Sequence, residues 1–116
     1  MSSEVRTLYL EDETLIALDG ESSLRELGLE TIHSARSLSK AKSIARTEEL
    51  DLAILDVNLG NGQNSFELAL ELVQRGLKVL FVSGYNATEF PASVRGVPVL
   101  SKPFTKHTLA AALHDM

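Results

Sequence analysis

Five polar residues of this 116-residue chain each follow a short apolar run. Glu11 and Asp12 come after Leu8-Tyr9-Leu10, Asp56 after Leu52-Ala53-Ile54-Leu55, Ser83 after Val79-Leu80-Phe81-Val82, and Lys102 shortly after Val97-Pro98-Val99-Leu100. Three carboxylates gathered in one crevice repel one another and raise each other's pKa unless a cation neutralises them. A hard divalent ion answers that need, and Mg²⁺ suits a site of few protein ligands completed by water and phosphate. A lysine adds a compact mobile cation and a serine a hydroxyl donor. Such a set fits a transferring phosphoryl group, for which catalysis is mostly positioning and charge neutralisation.

The elements that must position these residues follow from the apolar pattern. Arg6–Leu10 reads as a first strand, followed by a helix from about Glu13 to Leu27 with Ile16, Leu24 and Leu27 inward and Gly28 as its stop. A polar, edge-like strand over Glu30–Ala35 leads to a helix starting at Ser37 or Ser39 and running to about Glu48. Leu52–Leu55, closed by Asp56, is continuously apolar, as a strand buried on both faces requires. The turn-rich loop Leu59–Asn64 follows. A third helix carries Phe66, Ala69, Leu70 and Val73 at i, i+3, i+4 and i+7 and ends at Gly76. After the strand Val79–Val82, Tyr85–Gly96 is irregular, and Pro91 limits any helix there to a short or broken one. A last edge strand, Val97–Leu100, and a helix over Thr105–His114 with Leu109, Ala112 and Leu113 inward complete the chain.

This βα alternation predicts an α/β fold: a flavodoxin-like, doubly wound five-stranded parallel sheet in the order 2-1-3-4-5 with helices on both faces. In that order strands one and three are neighbours at the switch point, so Glu11, Asp12 and Asp56 share the crevice where ligands of such sheets bind. The length predicts one domain over residues 1–116 with no effector domain. Without cysteine, no disulfide or thiolate chemistry is available. A formal charge of −5 argues against a grip on nucleic acid. No run of membrane-spanning length and no apolar leader stand in the sequence, so a cytoplasmic protein without membrane contact is expected.

Four motifs, Glu11-Asp12, Leu55-Asp56-Val57-Asn58-Leu59, Ser83-Gly84 and Ser101-Lys102-Pro103-Phe104, stand in order at predicted strand ends. Together they make the whole chain resemble the receiver domain of two-component response regulators. The resemblance implies a phosphoacceptor protein rather than an enzyme, acting as a switch or phosphate sink. Asp56 would take a phosphoryl group from a sensor histidine kinase or phosphotransfer protein. Glu11, Asp12, Asp56 and the backbone carbonyl of Asn58 would hold Mg²⁺. Lys102 would pair with phosphoryl oxygens, Ser83 would hydrogen-bond to the phosphoryl group, and the Lys102–Pro103 bond would be cis.

The chain departs from the family pattern at three places. Gly60 stands where most receivers have proline, which implies a more flexible loop. Ser83 replaces the commoner threonine. Val99 occupies the place of an aromatic that swings inward on activation, so that switch cannot operate there. Phe81-Val82-Ser83-Gly84-Tyr85 resembles instead the motif of the FAT GUY receivers, which serve HWE-type kinases, with Tyr85 tuning phosphoaspartate lifetime. The output of such a protein would be a further protein partner, met by Tyr85–Gly96, the last strand and the final helix.

Each motif also has a plainer meaning. Glu11-Asp12 alone suits a turn or helix cap, although Thr14 could cap that helix. Ser83-Gly84 alone suits a turn, Lys102-Pro103 a surface lysine, and Tyr85 an exposed loop aromatic. The three histidines, His33, His107 and His114, suit solvated or structural positions. Joint placement favours the site, since a bare charge at Asp56 after so apolar a run is costly. Two other functions share these residues: a Mg²⁺-dependent phosphatase with an aspartate nucleophile, and a pseudo-receiver that binds partners without phosphorylation. The phosphatase pattern needs a second aspartate two residues on, where this chain has Asn58.

Overall fold

The computed structural model describes residues 4–84 and 90–116. Tyr85, with the tuning role expected of it, lies outside the described residues. Five strands, β1 (Arg6–Leu10), β2 (Thr31–Ala35), β3 (Leu52–Asp56), β4 (Lys78–Ser83) and β5 (Val99–Ser101), form one sheet. Every pair is parallel, and the order is β2-β1-β3-β4-β5, as the sequence predicts. The helices are α1 (Thr14–Glu26), α2 (Leu38–Thr47), α3 (Phe66–Gln74) and α4 (Lys106–His114). None of the described helices is long and apolar enough to cross a membrane.

Strand periodicity sorts the core into two layers. Leu8, Leu10, Ala53, Leu55, Val79 and Phe81 pack on one face against Ala41, Ile44 and Ala45 of α2 and Leu68, Ala69 and Leu72 of α3. Tyr9, Leu52, Ile54, Leu80 and Val82 pack on the other against Ala17 and Leu24 of α1 and Leu109 of α4. All five residues of β3 are buried because helices cover both its faces.

Several elements differ from expectation. The buried stripe of α3 is Leu68, Ala69 and Leu72, whereas Val73 is 42 % exposed. On α1 the stripe is Ala17, Gly20, Glu21 and Leu24, with Ile16 and Leu27 half-buried. Gly20 is dictated by a close approach: a Cβ there would lie 2.1 Å from the Tyr9 hydroxyl. Thr14 is the first residue of α1 rather than its cap. Strand β5 begins at Val99 because Val97 closes a turn onto Val94, while the Pro98 carbonyl accepts from Phe81 N–H at 2.9 Å. A 3₁₀ turn over Ala92–Val94 is the short helix that Pro91 allows. At Gly60 the backbone needs φ of 79°, which proline, locked near about −65°, could not adopt. Gly60 thus supplies a conformation.

Candidate functional site

The carboxyl edge of the sheet gathers the residues picked out in the sequence. The last β1–β3 pair is Leu10 with Leu55, so Glu11 and Asp56 each stand one residue past it on adjacent strands. Their carboxylates and that of Asp12 offer oxygens within 4.8 Å of one another, with Glu11 and Asp56 buried and Asp12 exposed. Lys102 reaches in from the loop after β5. Its Nζ lies 2.9 Å from Glu11 Oε1 and 3.1 Å from Asp56 Oδ2. Its N–H donates to the Ser83 carbonyl at 2.9 Å, which ties the ends of β4 and β5 together. Ser83 is buried one residue past the Asp56–Val82 pair. The Lys102–Pro103 peptide bond is cis.

Glu11 serves two structures at once. While Oε1 takes Lys102, Oε2 accepts from the Glu13 N–H at 3.1 Å, at the N-cap of α1. The helix-end contact and the place in the crevice are therefore compatible in this one residue.

Electrostatics single out Asp56. Burial, then the negative charge of Glu11, pushes its pKa up to about 7; contact with Asp12 adds to the rise, and Lys102 opposes it. Burial pulls the Lys102 ammonium down, but hydrogen bonding to Glu11 and the charges of Asp56 and Glu11 outweigh it and leave its pKa raised. Three carboxylates against one ammonium leave the crevice short of positive charge. That donor set, all oxygen and partly open through Asp12, fits a hard divalent cation.

Asn58, two residues past Asp56, is exposed and bridges to Asn64 across the loop. Val99 pairs with Phe81 and packs against the core without an aromatic ring. Rings cluster nearby instead: Phe66, Phe81 and Phe90 lie with centroids 5.0–5.7 Å apart. One residue that sequence reasoning passed over is Ser65, wholly buried, whose Oγ donates to the Asp56 carbonyl at 2.7 Å. Its only signal was a serine one residue before a helix, which reads as a cap.

A family model for the response regulator receiver domain matches residues 7–114. Among solved structures, SdrG from Sphingomonas melonis Fr1 is 34 % identical, with 98 % of this chain and 97 % of that one covered and a TM-score of 0.83. A BeF3-activated conformation of SdrG gives a TM-score of 0.80 at the same identity and coverage. A CheY-like receiver domain protein from Methanospirillum hungatei, 22 % identical over 97 % of this chain and 93 % of its own, superposes with a TM-score of 0.84 and shares the fold. The phyllosphere-induced regulator PhyR of Methylorubrum extorquens is 29 % identical over 97 % of this chain, which spans only 43 % of PhyR.

Proposed function

The chain belongs to the response regulator receiver domain family of two-component signalling, and we propose that it works as a phosphorylation switch or phosphate sink with Asp56 as the phosphoacceptor. A carboxylate oxygen of Asp56 attacks the phosphorus of a phosphohistidine. The new O–P bond makes an acyl phosphate, and the breaking P–N bond returns its electron pair to the imidazole nitrogen. The observation that carries this reading is Lys102, held between Glu11 and Asp56 at 2.9 and 3.1 Å, with an ammonium placed for phosphoryl oxygens. Ser83 is the hydroxyl we assign to the phosphoryl group.

Receiver domains bind Mg²⁺ at an acidic pocket. In this chain Glu11, Asp12, Asp56 and the carbonyl of Asn58 are the ligands we propose. Bound there, Mg²⁺ would neutralise charge shared by the carboxylates and the incoming phosphoryl group. Histidine kinases or phosphotransfer proteins supply receiver domains; the resemblance of Phe81-Val82-Ser83-Gly84-Tyr85 to the FAT GUY motif favours a kinase of the HWE type, in the cytoplasm. Output is through protein contacts at residues 85–96, β5 and α4, by a route other than an aromatic swing at Val99.

Incubation with acetyl phosphate and Mg²⁺, followed by intact mass, tests the reading. One phosphoryl group is expected on the wild type and none on Asp56→Ala. No mass gain, or a gain that survives the substitution, sinks it.

A further inference from the structure

Ser65 stands at the N-cap of α3, yet its side chain makes no capping bond. The hydroxyl instead reaches back nine residues to the Asp56 carbonyl at 2.7 Å. The Ser65 N–H donates to the neighbouring carbonyl, that of Val57, at 3.1 Å. The need for such a partner follows from the sheet. Strand β1 stops pairing with β3 at Leu55, so Asp56, still paired with Val82 of β4, lies past the β1 side of the ladder, and a carbonyl of this buried residue needs another donor there. Both bonds fall on consecutive carbonyls, so one residue sets the backbone torsion that follows the Asp56 Cα and the course of the chain into Asn58. Lys102, itself paired with Glu11, contacts the Asp56 side chain; Ser65 holds its main chain.

We propose that Ser65 is a positioning residue for the phosphoacceptor, fixing the Asp56 carboxylate and the Asn58 carbonyl relative to Glu11, Asp12 and Lys102. The inference rests on Asp56 as the acceptor. Ser65→Ala is expected to weaken Mg²⁺ binding and to slow phosphorylation by acetyl phosphate, each by about tenfold, as loss of a supporting hydrogen bond behind a metal site does. In metal-free protein the Asp56 carbonyl ¹³C resonance should move. Ser37→Ala is the control: it removes another N-cap hydroxyl, bonded to the Lys40 N–H at 3.1 Å. It should lower Tm and leave all three readouts unchanged.

Ser65→Thr, which keeps the hydroxyl, should restore Mg²⁺ affinity. Should Ser65→Ala not fold, Ser65→Cys, close in shape and a weak donor, carries the same three measurements. A folded Ser65→Ala or Ser65→Cys with wild-type Mg²⁺ affinity and rate overturns the proposal and leaves Ser65 a packing residue. A wild type that binds Mg²⁺ but takes no phosphoryl group overturns the acceptor reading alone. The Mg²⁺ affinities and carbonyl shifts then still decide the role of Ser65.

Discussion

Asp51 and Asp56 flank one strand, each paired with a cation, and their carboxyl groups are driven in opposite directions. Asp51, before β3, accepts from the Arg6 N–H at 2.8 Å and from its Nε at 3.0 Å, with its side chain 41 % exposed. Hydrogen bonding to Arg6 lowers its pKa. Asp56, at the end of the same strand, has a side chain only 5 % exposed, and its pKa rises to about 7. A cation partner alone therefore does not decide the sign. Loss of water and a second carboxylate do. A groove of about 700 Å³ opens at the Asp51 end, between Leu27, Leu52, Leu77 and Leu113. Beside it, Asp51 is paired with Arg6, which also bonds Glu49. At the other end three carboxylates meet one ammonium, and charge is left over.

The largest contrast is in reactivity. Asp56→Asn should abolish acceptance of a phosphoryl group from acetyl phosphate, and Asp51→Asn should accept at the wild-type rate; intact mass over time reads both. Loss of acceptance in Asp51→Asn would erase the distinction between the two ends. Next comes the cost of losing each cation. Lys102→Ala leaves Glu11 and Asp56 buried without their shared partner and should cost about 3 kcal/mol in metal-free urea unfolding. Arg6→Ala strands Asp51 and Glu49 in water and should cost clearly less, since exposed pairs contribute little. Equal costs would show that burial does not separate them.

The fold and most of the site were legible for one physical reason. Strands buried on both faces read as unbroken apolar runs, so the polar residue that ends each run, Asp56 most clearly, marks the edge where a ligand can sit. The helix faces were harder. In α3, leucines at 68, 70 and 72 beside Phe66 and Val73 fit two stripes about equally well, and only the sheet selects Leu68 and Leu72. On α1 the buried Glu21 was invisible because its partner, Arg36, arrives 3.0 Å away from beyond β2. Ser65 was hidden likewise: its acceptor is a carbonyl freed by where β1 stops pairing, which no local pattern in the chain encodes.

The finest contrast is in pH. For Asp56 the folded pKa of about 7 lies above the reference 3.8. Between those values the metal-free native state holds a proton that the unfolded chain has lost, so stability falls as pH rises from about 4 to about 7. For Asp51 the folded value lies below 3.8, so its contribution is present above that pH and is lost only as pH falls through the folded value. Urea unfolding in EDTA across this range should therefore show wild type falling progressively below Asp56→Asn between about pH 4 and pH 7. Its advantage over Asp51→Asn should stay flat there and close only at lower pH. Mg²⁺ should shrink the first gap, because a cation favours the charged carboxylate that burial and Glu11 disfavour, and leave the second untouched. An Asp56→Asn protein that tracks the wild type from pH 4 to pH 7 would mean that Asp56 is charged throughout, and the two ends of β3 would then differ in reach to a phosphoryl donor alone.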